Sequence, residues 1–202
     1  MDNVPKPLKC LGIACSPRDK GNTAMLLEKA LEGVRAGGAA SELLILKHFK
    51  FAPCIACNGC FQQGQCVVPD EMQNIYQKVL EADRIIIAAP IFSMGLCAQA
   101  KALVDRGQRF WATKYILNQP VISQQQRPLR RGIFISCAGS NFPHVFSDAE
   151  RIIRYYFMML EVGYTGSYLY QEVDELGAIE QKPEALQEVF QAGKELVVNN
   201  SK

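Results

Sequence analysis

The sequence lacks any apolar run long enough to cross a membrane. Its longest such run, Ile85 to Phe92, has eight residues, whereas a membrane-spanning helix needs about 20. The first nine residues, MDNVPKPLK, contain no apolar segment of the signal-peptide type. We therefore expect a cytoplasmic protein that does not associate with membranes.

The chain also has little net charge and little histidine. A formal net charge of +2 provides no electrostatic reason to bind nucleic acid or an anionic surface. The two histidines are His48 and His144. His48 has no partner pattern and is interpreted as structural or exposed, whereas His144 is either a loop residue at a helix start or a proton donor near a bound ring.

Apolar runs alternate with helical patterns along the whole chain, with no internal repeat and no domain boundary. The predicted strands are 9–16, 42–46, 84–89, 131–137 and 165–170, and the predicted helices are 22–36, 71–82, 95–109, 147–160 and 183–198. Strictly alternating strands and helices favour a parallel sheet with helices on both faces. Five strands predict a single α/β domain over 1–202 with the flavodoxin-like, doubly wound strand order 2-1-3-4-5.

The turn after the first predicted strand lacks two common nucleotide-binding motifs. Residues 16–23 read SPRDKGNT, which is neither G-x-x-x-x-G-K-[ST] nor G-x-G-x-x-G. A helix follows, and helix N-termini attract anions. The turn is therefore predicted to bind a phosphate group, with an ordinary polar turn and helix cap as the alternative. The candidate residues are Ser16 and Thr23 as hydroxyl donors, Arg18 as a charged fork, Asn22 as a helix cap facing the site, and Pro17 between them.

Two further loops are expected to complete the same pocket, because ligands of open α/β sheets bind at the carboxyl ends of the strands. The loop after the third strand offers backbone amides, an aromatic ring and a thioether, which suit a flat heteroaromatic ring; its residues are Pro90, Ile91, Phe92, Ser93, Met94 and Gly95. The loop after the fourth strand contributes Cys137, Ala138 and Gly139. The alternatives are a plain hydrophobic turn and, for Cys137, a buried thiol.

Four of the eight cysteines lie within thirteen residues, in the predicted insert at about 47–70. They are Cys54, Cys57, Cys60 and Cys66, spaced C-x2-C-x2-C-x5-C. Four such thiolates can ligate a [4Fe–4S] cluster. Zinc also accepts four cysteines, usually from two separated C-x2–4-C pairs, and a regulatory disulfide or a loop without metal stays open. Cys10 and Cys97 are predicted to be buried small hydrophobes.

Two groups of charged residues have simpler interpretations. Arg127, Arg130 and Arg131 lie in or directly after a long loop at about 111–130, which is either solvated or a docking patch for an acidic redox partner. Asp105 and Arg106 are predicted to serve structure through capping or an ion pair.

Together these motifs resemble a known family. The turn at 16–23 is similar to the phosphate loop of NADPH-dependent FMN reductase-type flavoproteins, and residues 90–95, followed by Lys101 and Asp105-Arg106, are similar to that family's second flavin loop and helix. The cysteine spacing, followed by Asp70-Glu71-Met72, resembles the subgroup of iron–sulfur flavoproteins. The resemblance covers about residues 9–140.

The resemblance implies a flavodoxin-like fold, one FMN per subunit and a [4Fe–4S] cluster on the four cysteines. It also implies dimers or tetramers in which a cluster lies near the FMN of a neighbouring subunit. Carried over by position, Ser16, Arg18, Asn22 and Thr23 hold the phosphate, residues 90–95 hold the ring, and residues 137–139 close the pocket.

Three functional hypotheses follow. In the first, an electron-transfer flavoprotein passes electrons from a ferredoxin-like donor through cluster and FMN to a small-molecule acceptor, with no covalent nucleophile and with NAD(P)H as a further candidate donor. In the second, an NAD(P)H-dependent FMN, quinone or nitroaromatic reductase works without a cluster. In the third, the chain is a non-enzymatic FMN-binding redox carrier or sensor.

Overall fold

The structure, a computed structural model, describes residues 7–198 and contains seven strands and seven α-helices within that range. The strands are β1 (Lys9–Ala14), β2 (Ala40–Ile45), β3 (Arg84–Ala88), β4 (Ile91–Phe92), β5 (Gly95–Leu96), β6 (Arg131–Cys137) and β7 (Gly163–Tyr170). The helices are α1 (Asn22–Ala36), α2 (Cys60–Gln63), α3 (Met72–Glu81), α4 (Ala98–Arg106), α5 (Gln108–Trp111), α6 (Ser147–Met159) and α7 (Pro183–Val198).

Five strands form one parallel sheet in the order β2-β1-β3-β6-β7. The short strands β4 and β5 form a separate antiparallel hairpin. Counted without that hairpin, the order is the predicted 2-1-3-4-5, and the flavodoxin-like architecture is confirmed. From β1 the chain adds β2 on one side and then β3, β6 and β7 on the other, so the strand order reverses between β1 and β3. Doubly wound folds bind their ligands at this point.

The central strands are apolar on both sides because helices cover both faces of the sheet. Side chains alternate along each strand: Ile85 and Ile87 of β3 belong to the core under α3, α4 and α6. Ile86 and Ala88 belong to the core under α1 and α7. This alternation explains why β3, with five buried residues, appears in the sequence as a continuous hydrophobic run.

The helix predicted at 95–109 is the largest error in the secondary-structure prediction. Residues 91–96 form the β4–β5 hairpin, and α4 begins only at Ala98. The two residues at the hairpin tip, Ser93 and Met94, have φ of 49° and 66°. Two-residue hairpin turns need such positive values and usually recruit glycine or asparagine, so the sequence carried no hairpin signal here.

In the long loop before β6, Arg130 differs from both interpretations given for the arginines. Arg130 is 2% exposed, and its guanidinium donates hydrogen bonds to the carbonyls of Leu160 and Val79 at 3.0 and 2.6 Å. Arg127 forms an ion pair with Glu161. Arg130 therefore ties the loop to α3 and to the end of α6 and belongs neither to a solvated loop nor to a docking patch.

The edge strand β7 is attached to α6 by a carboxylate. Glu150 accepts hydrogen bonds from the hydroxyls of Ser167 (2.6 Å) and Tyr164 (2.9 Å) and from the guanidinium of Arg154 (2.9 Å). The Ser167 bond, reinforced by Arg154 and Tyr164 and opposed by partial burial, lowers the pKa of Glu150. A depressed carboxyl pKa stabilises the fold above the unfolded value of about 4.3, and this contribution is lost as the pH falls through the folded value.

We expect Glu150→Gln to lower the free energy of unfolding at pH 7, because the charged acceptor of three hydrogen bonds is lost. The loss should be only about 1 kcal/mol, because the carboxylate is partly solvated. The difference from wild type should shrink as the pH falls below about 4. Urea unfolding at pH 7 and at stepwise lower pH measures both effects, with Glu28→Gln on the exposed side of α1 as the control. A deficit that is independent of pH would contradict the assignment.

No helix within residues 7–198 is both long and apolar enough to cross a bilayer.

Candidate functional site

Four loops meet at the carboxyl edge of the sheet and line one pocket. They follow β1, β3, β6 and β7, and the lining residues are Ser16, Arg18, Gly21, Asn22, Thr23, Pro90, Ile91, Phe92, Cys137, Gly139, Val173 and Asp174. The structure thus brings together nine of the fourteen residues expected at the cofactor site: Ser16, Arg18, Asn22, Thr23, Pro90, Ile91, Phe92, Cys137 and Gly139. The other five, Pro17, Ser93, Met94, Gly95 and Ala138, adjoin these residues in sequence without lining the pocket.

The turn after β1 has the geometry of an anion site. The first NH groups of an α-helix have no partner inside the helix, and those of α1 begin where the pocket lies. Ser16 and Thr23 are buried there, at 5% and 2% exposure, while Arg18 is exposed on the outer side. The amide of Arg18 donates to the Ser16 hydroxyl at 3.1 Å, which fixes that hydroxyl inside the turn.

Asn22 does not cap α1 as the sequence predicted. The cap position is Gly21, and Asn22 is the first helical residue. Its amide nitrogen donates to the Glu175 carbonyl at 2.8 Å, and its oxygen accepts from the Ile179 amide at 3.3 Å. Asn22 therefore joins the segment after β7 to the turn after β1.

That segment is the part of the pocket that sequence reasoning missed. Val173 and Asp174 line the pocket, and Arg18 donates to the Asp174 carbonyl at 2.8 Å. Gly139 allows the loop after β6 to lie close to Asp174, since a Cβ at Gly139 would lie 2.9 Å from the Asp174 side chain. The carboxyl-end rule, applied to the fifth strand as it was to the first, third and fourth, would have found this segment.

The third wall combines an apolar hairpin with a buried thiol. Phe92 of β4, which lines the pocket, is 45% exposed, and Met94 at the hairpin tip, outside the lining, is 44% exposed. Cys137, at the end of β6, is 4% exposed, and burial raises its pKa to about 12. Cys137 is therefore a neutral thiol at physiological pH that forms an apolar wall and is not a thiolate nucleophile.

The two histidines lie outside this pocket. His48 is exposed, as predicted, at the end of a short 3₁₀ turn. His144 is exposed, and its carbonyl accepts from the Ser147 amide at the start of α6. His144 thus agrees with the loop-residue interpretation.

The four clustered cysteines line a second cavity, formed by the segment that follows β2 and precedes α3 together with residues of α4 and α5. Cys60 is buried at the start of α2, Cys54 and Cys66 are half-buried, and Cys57 is exposed. Between them, Ala56 and Asn58 adopt positive φ values of 52° and 57°, an uncommon conformation that is concentrated at functional sites. The cavity is lined by Cys54, Ile55, Ala56, Cys57, Asn58, Cys60, Cys66, Val67, Val68, Arg106, Gln108 and Arg109.

The loop that carries the cysteines is held at both ends by Asp70. The carboxylate accepts hydrogen bonds from the amides of Ala52 (3.1 Å) and Met72 (3.2 Å) and forms two bonds with Arg106, at 2.6 and 2.9 Å. Partial burial opposes ionisation of Asp70, but these donors outweigh it and lower its pKa. The ion pair predicted for Arg106 is confirmed, and Asp105 pairs with Lys101 on the surface.

The donor set suits a group that is held by thiolates. All eight cysteines are free thiols, and Cys10 and Cys97 are buried, as predicted. Within residues 7–198, no three or more His, Cys, Asp or Glu side chains lie close enough together to hold a single metal ion. What the structure offers is four cysteines on one cavity, which Arg106 and Arg109 also line.

Comparison with known proteins agrees with the fold. The sequence model of the NADPH-dependent FMN reductase family matches residues 8–159. An NAD(P)H:quinone oxidoreductase from Methanothermobacter marburgensis has a similar structure, with a TM-score of 0.74 over 95% of this chain and 96% of that one at 15% identity. At that identity, the likeness concerns the fold alone.

Two curated relatives have higher sequence identity. Iron–sulfur flavoproteins from Methanocaldococcus jannaschii and Methanosarcina thermophila are each 39% identical to this chain, over 101 and 99 residues. The matches cover 50% and 49% of this chain and 52% of each relative, so the chain spans about half the length of the curated relatives it matches. With three quarters of its length matched by the family model, the chain belongs to the NADPH-dependent FMN reductase family.

Proposed function

We propose that the chain is an iron–sulfur flavoprotein that passes electrons between a [4Fe–4S] cluster, FMN and a small-molecule acceptor. The observation that carries the proposal is the convergence of Cys54, Cys57, Cys60 and Cys66 on one cavity. The C-x2-C-x2-C-x5-C spacing and the names of the curated relatives support it.

FMN would bind in the pocket at the carboxyl edge of the sheet. Its phosphate would meet the start of α1, where Ser16, Thr23 and Arg18 offer donors, and its ring would lie along residues 90–95 and 137–139. When bound, the cluster supplies one-electron transfer and the flavin exchanges electrons singly or in pairs, while the protein binds, orients and tunes both groups. The thiolates need a reducing compartment, which fits a cytoplasmic location.

A homo-oligomer is part of this proposal, as a dimer or tetramer in which a cluster lies near the FMN of a neighbouring subunit. The electron donor would be a ferredoxin-like protein or NAD(P)H. Neither donor requires a covalent nucleophile, in agreement with the neutral Cys137 thiol.

The test is the cofactor content of anaerobically purified protein. We expect about four iron and four acid-labile sulfide per chain, as one [4Fe–4S] cluster requires, together with one FMN. Zinc in place of iron, or full FMN without iron, would sink the cluster assignment.

A second candidate function is an NAD(P)H-dependent reductase that works without a cluster, and the match to the NADPH-dependent FMN reductase family favours it. It predicts rapid anaerobic bleaching of bound FMN by NADPH in protein that contains no iron. Stopped-flow mixing with NADPH measures the bleaching rate. Repeated on iron-loaded protein, it shows whether NADPH also donates electrons to the iron–sulfur flavoprotein of the first proposal.

We expect Arg18→Ala to weaken FMN binding, because Arg18 is a charged donor on the phosphate turn and lines the pocket. A hydrogen bond to a charged group contributes about 1.5–3 kcal/mol, which corresponds to roughly 10- to 150-fold in Kd. Fluorescence titration of the apoprotein with FMN measures the change. Lys20→Ala removes a positive charge from the same turn outside the pocket lining and should change Kd less than threefold; an equal loss in both variants would contradict a specific role for Arg18.

A further inference from the structure

The guanidinium of Arg106 is buried against the cysteine cavity, with its side chain 1% exposed. All five of its NH groups have partners. Nε faces the Tyr76 hydroxyl at 3.4 Å, Nη1 donates to the Ala52 carbonyl (2.8 Å) and Asp70 (2.6 Å), and Nη2 donates to Asp70 (2.9 Å) and to the Cys66 sulfur (3.4 Å).

The bond to Cys66 is the unusual member of this set. Binding the carboxylate and the loop backbone would suffice to anchor the loop, yet one charged donor is directed at the sulfur of a proposed cluster ligand. Reduction potentials of iron–sulfur clusters depend on hydrogen bonds to the sulfurs, net charge and solvent exposure. A cation that donates to a ligand sulfur stabilises the more negative, reduced cluster and so raises the potential.

We propose that Arg106 is a positioning residue that holds Cys66 and raises the reduction potential of the cluster through its hydrogen bond to that sulfur. The inference rests on the proposed function, because it requires that the four cysteines hold the cluster. In the couple concerned, one electron enters the oxidised cluster from an external one-electron reductant, and no bond forms or breaks.

Arg109 provides a matched comparison within the same cavity. Its guanidinium also lines the cavity, but its Nε donates to the Gly64 carbonyl at 3.1 Å, and the group lies over the Tyr76 ring at 4.6 Å. The two arginines share charge and location, but only Arg106 donates to a cysteine sulfur and pairs with Asp70.

The experiment is an EPR-monitored dithionite titration of the reconstituted wild type and of the Arg106→Lys and Arg109→Lys variants. Both substitutions keep the charge. We expect Arg106→Lys to make reduction about tenfold less favourable, which is 59 mV for a one-electron couple, because the planar fork that reaches Cys66 is lost. Arg109→Lys should change the equilibrium less than threefold.

Asp70→Asn independently tests the direction in which charge near Cys66 shifts the reduction potential. It removes the carboxylate that shares the Arg106 Nη2 group with Cys66 and leaves the guanidinium charge unpaired beside that sulfur. The potential should therefore move upward, and this variant decides the case if Arg106→Lys retains no iron. An unchanged potential in an iron-loaded Arg106→Lys, equal shifts for both arginines, or a downward shift in Asp70→Asn would overturn the inference. Wild-type protein without iron and sulfide would instead refute the proposed function itself, so the two failures are distinguishable.

Discussion

Replacing Cys60 by serine is expected to remove nearly all iron and acid-labile sulfide from the protein. Cys60 is the most buried of the four clustered cysteines, at 8% exposure, and it begins α2 and lines the cavity. Burial raises the pKa of its thiol in the absence of metal, so coordination to iron would provide the charge balance that the buried thiolate otherwise lacks. A serine hydroxyl has a far weaker tendency to ionise and leaves the cluster with three thiolates. Iron and sulfide assays after anaerobic reconstitution measure the loss.

Cys10→Ala is the control for this prediction. Cys10 is also buried, at 2% exposure, but it packs under α1 and α7, away from the cysteine cavity. It should leave the iron content unchanged. FMN content should be preserved in both variants, because no residue that lines the pocket at the carboxyl edge of the sheet also lines the cysteine cavity. Wild-type iron content in Cys60→Ser would show that this cysteine is not a ligand, and parallel loss of FMN would show that the substitution damages the fold.

The sequence predicted best where burial on one face determines the local structure. The bounds of α1, β6 and α7 were all predicted to the residue, because each has a clear apolar periodicity and an abrupt end. The strand order followed from the alternation of strands and helices, since crossover connections leave few arrangements of five parallel strands.

The errors occurred where backbone conformation or long-range pairing determines the result. Ser93 and Met94 form a two-residue hairpin turn without glycine or asparagine at the tip. Asn22 resembles a helix cap locally, but its amide is used by Glu175 and Ile179, more than 150 residues away in sequence. Arg130 appeared to be a solvated arginine because the carbonyls of Val79 and Leu160 that bind it carry no sequence signature.

The candidate site shows the same division. Three of its four loops were predicted from the general position of ligands in doubly wound sheets, and the four cysteines from their spacing. The hydrogen bonds that hold these loops, from Arg18 to Asp174 and from Arg106 to Asp70 and Cys66, join segments distant in sequence. Sequence therefore predicted most of the residues that line the two cavities, whereas the structure was needed to find the hydrogen bonds that hold their loops together.

The crossing of α1 and α7 leads to the second prediction of large effect, Gly193→Ala. A Cβ at Gly193 would lie 1.9 Å from the carbonyl oxygen of Ala30, and a Cβ at Gly33 would lie 1.9 Å from that of Phe190. Each helix thus presents a glycine to the backbone of the other. Because the clashing atoms are backbone atoms, a change of rotamer cannot relieve the contact, and the helices must separate.

We expect Gly193→Ala to lower the free energy of unfolding by about 3 kcal/mol, at the upper end of overpacking effects, and to lower Tm by about 6–12 °C at roughly 2–4 °C per kcal/mol. This loss opposes the gain of about 1 kcal/mol that alanine brings to a helix interior, so the two effects have opposite signs. Gly166→Ala on β7 is the matched control, because its Cβ would meet no atom within 4 Å. Calorimetry of the three proteins decides between the effects: if Gly193→Ala melts at or above the wild-type temperature, helix propensity dominates and the close crossing does not limit stability.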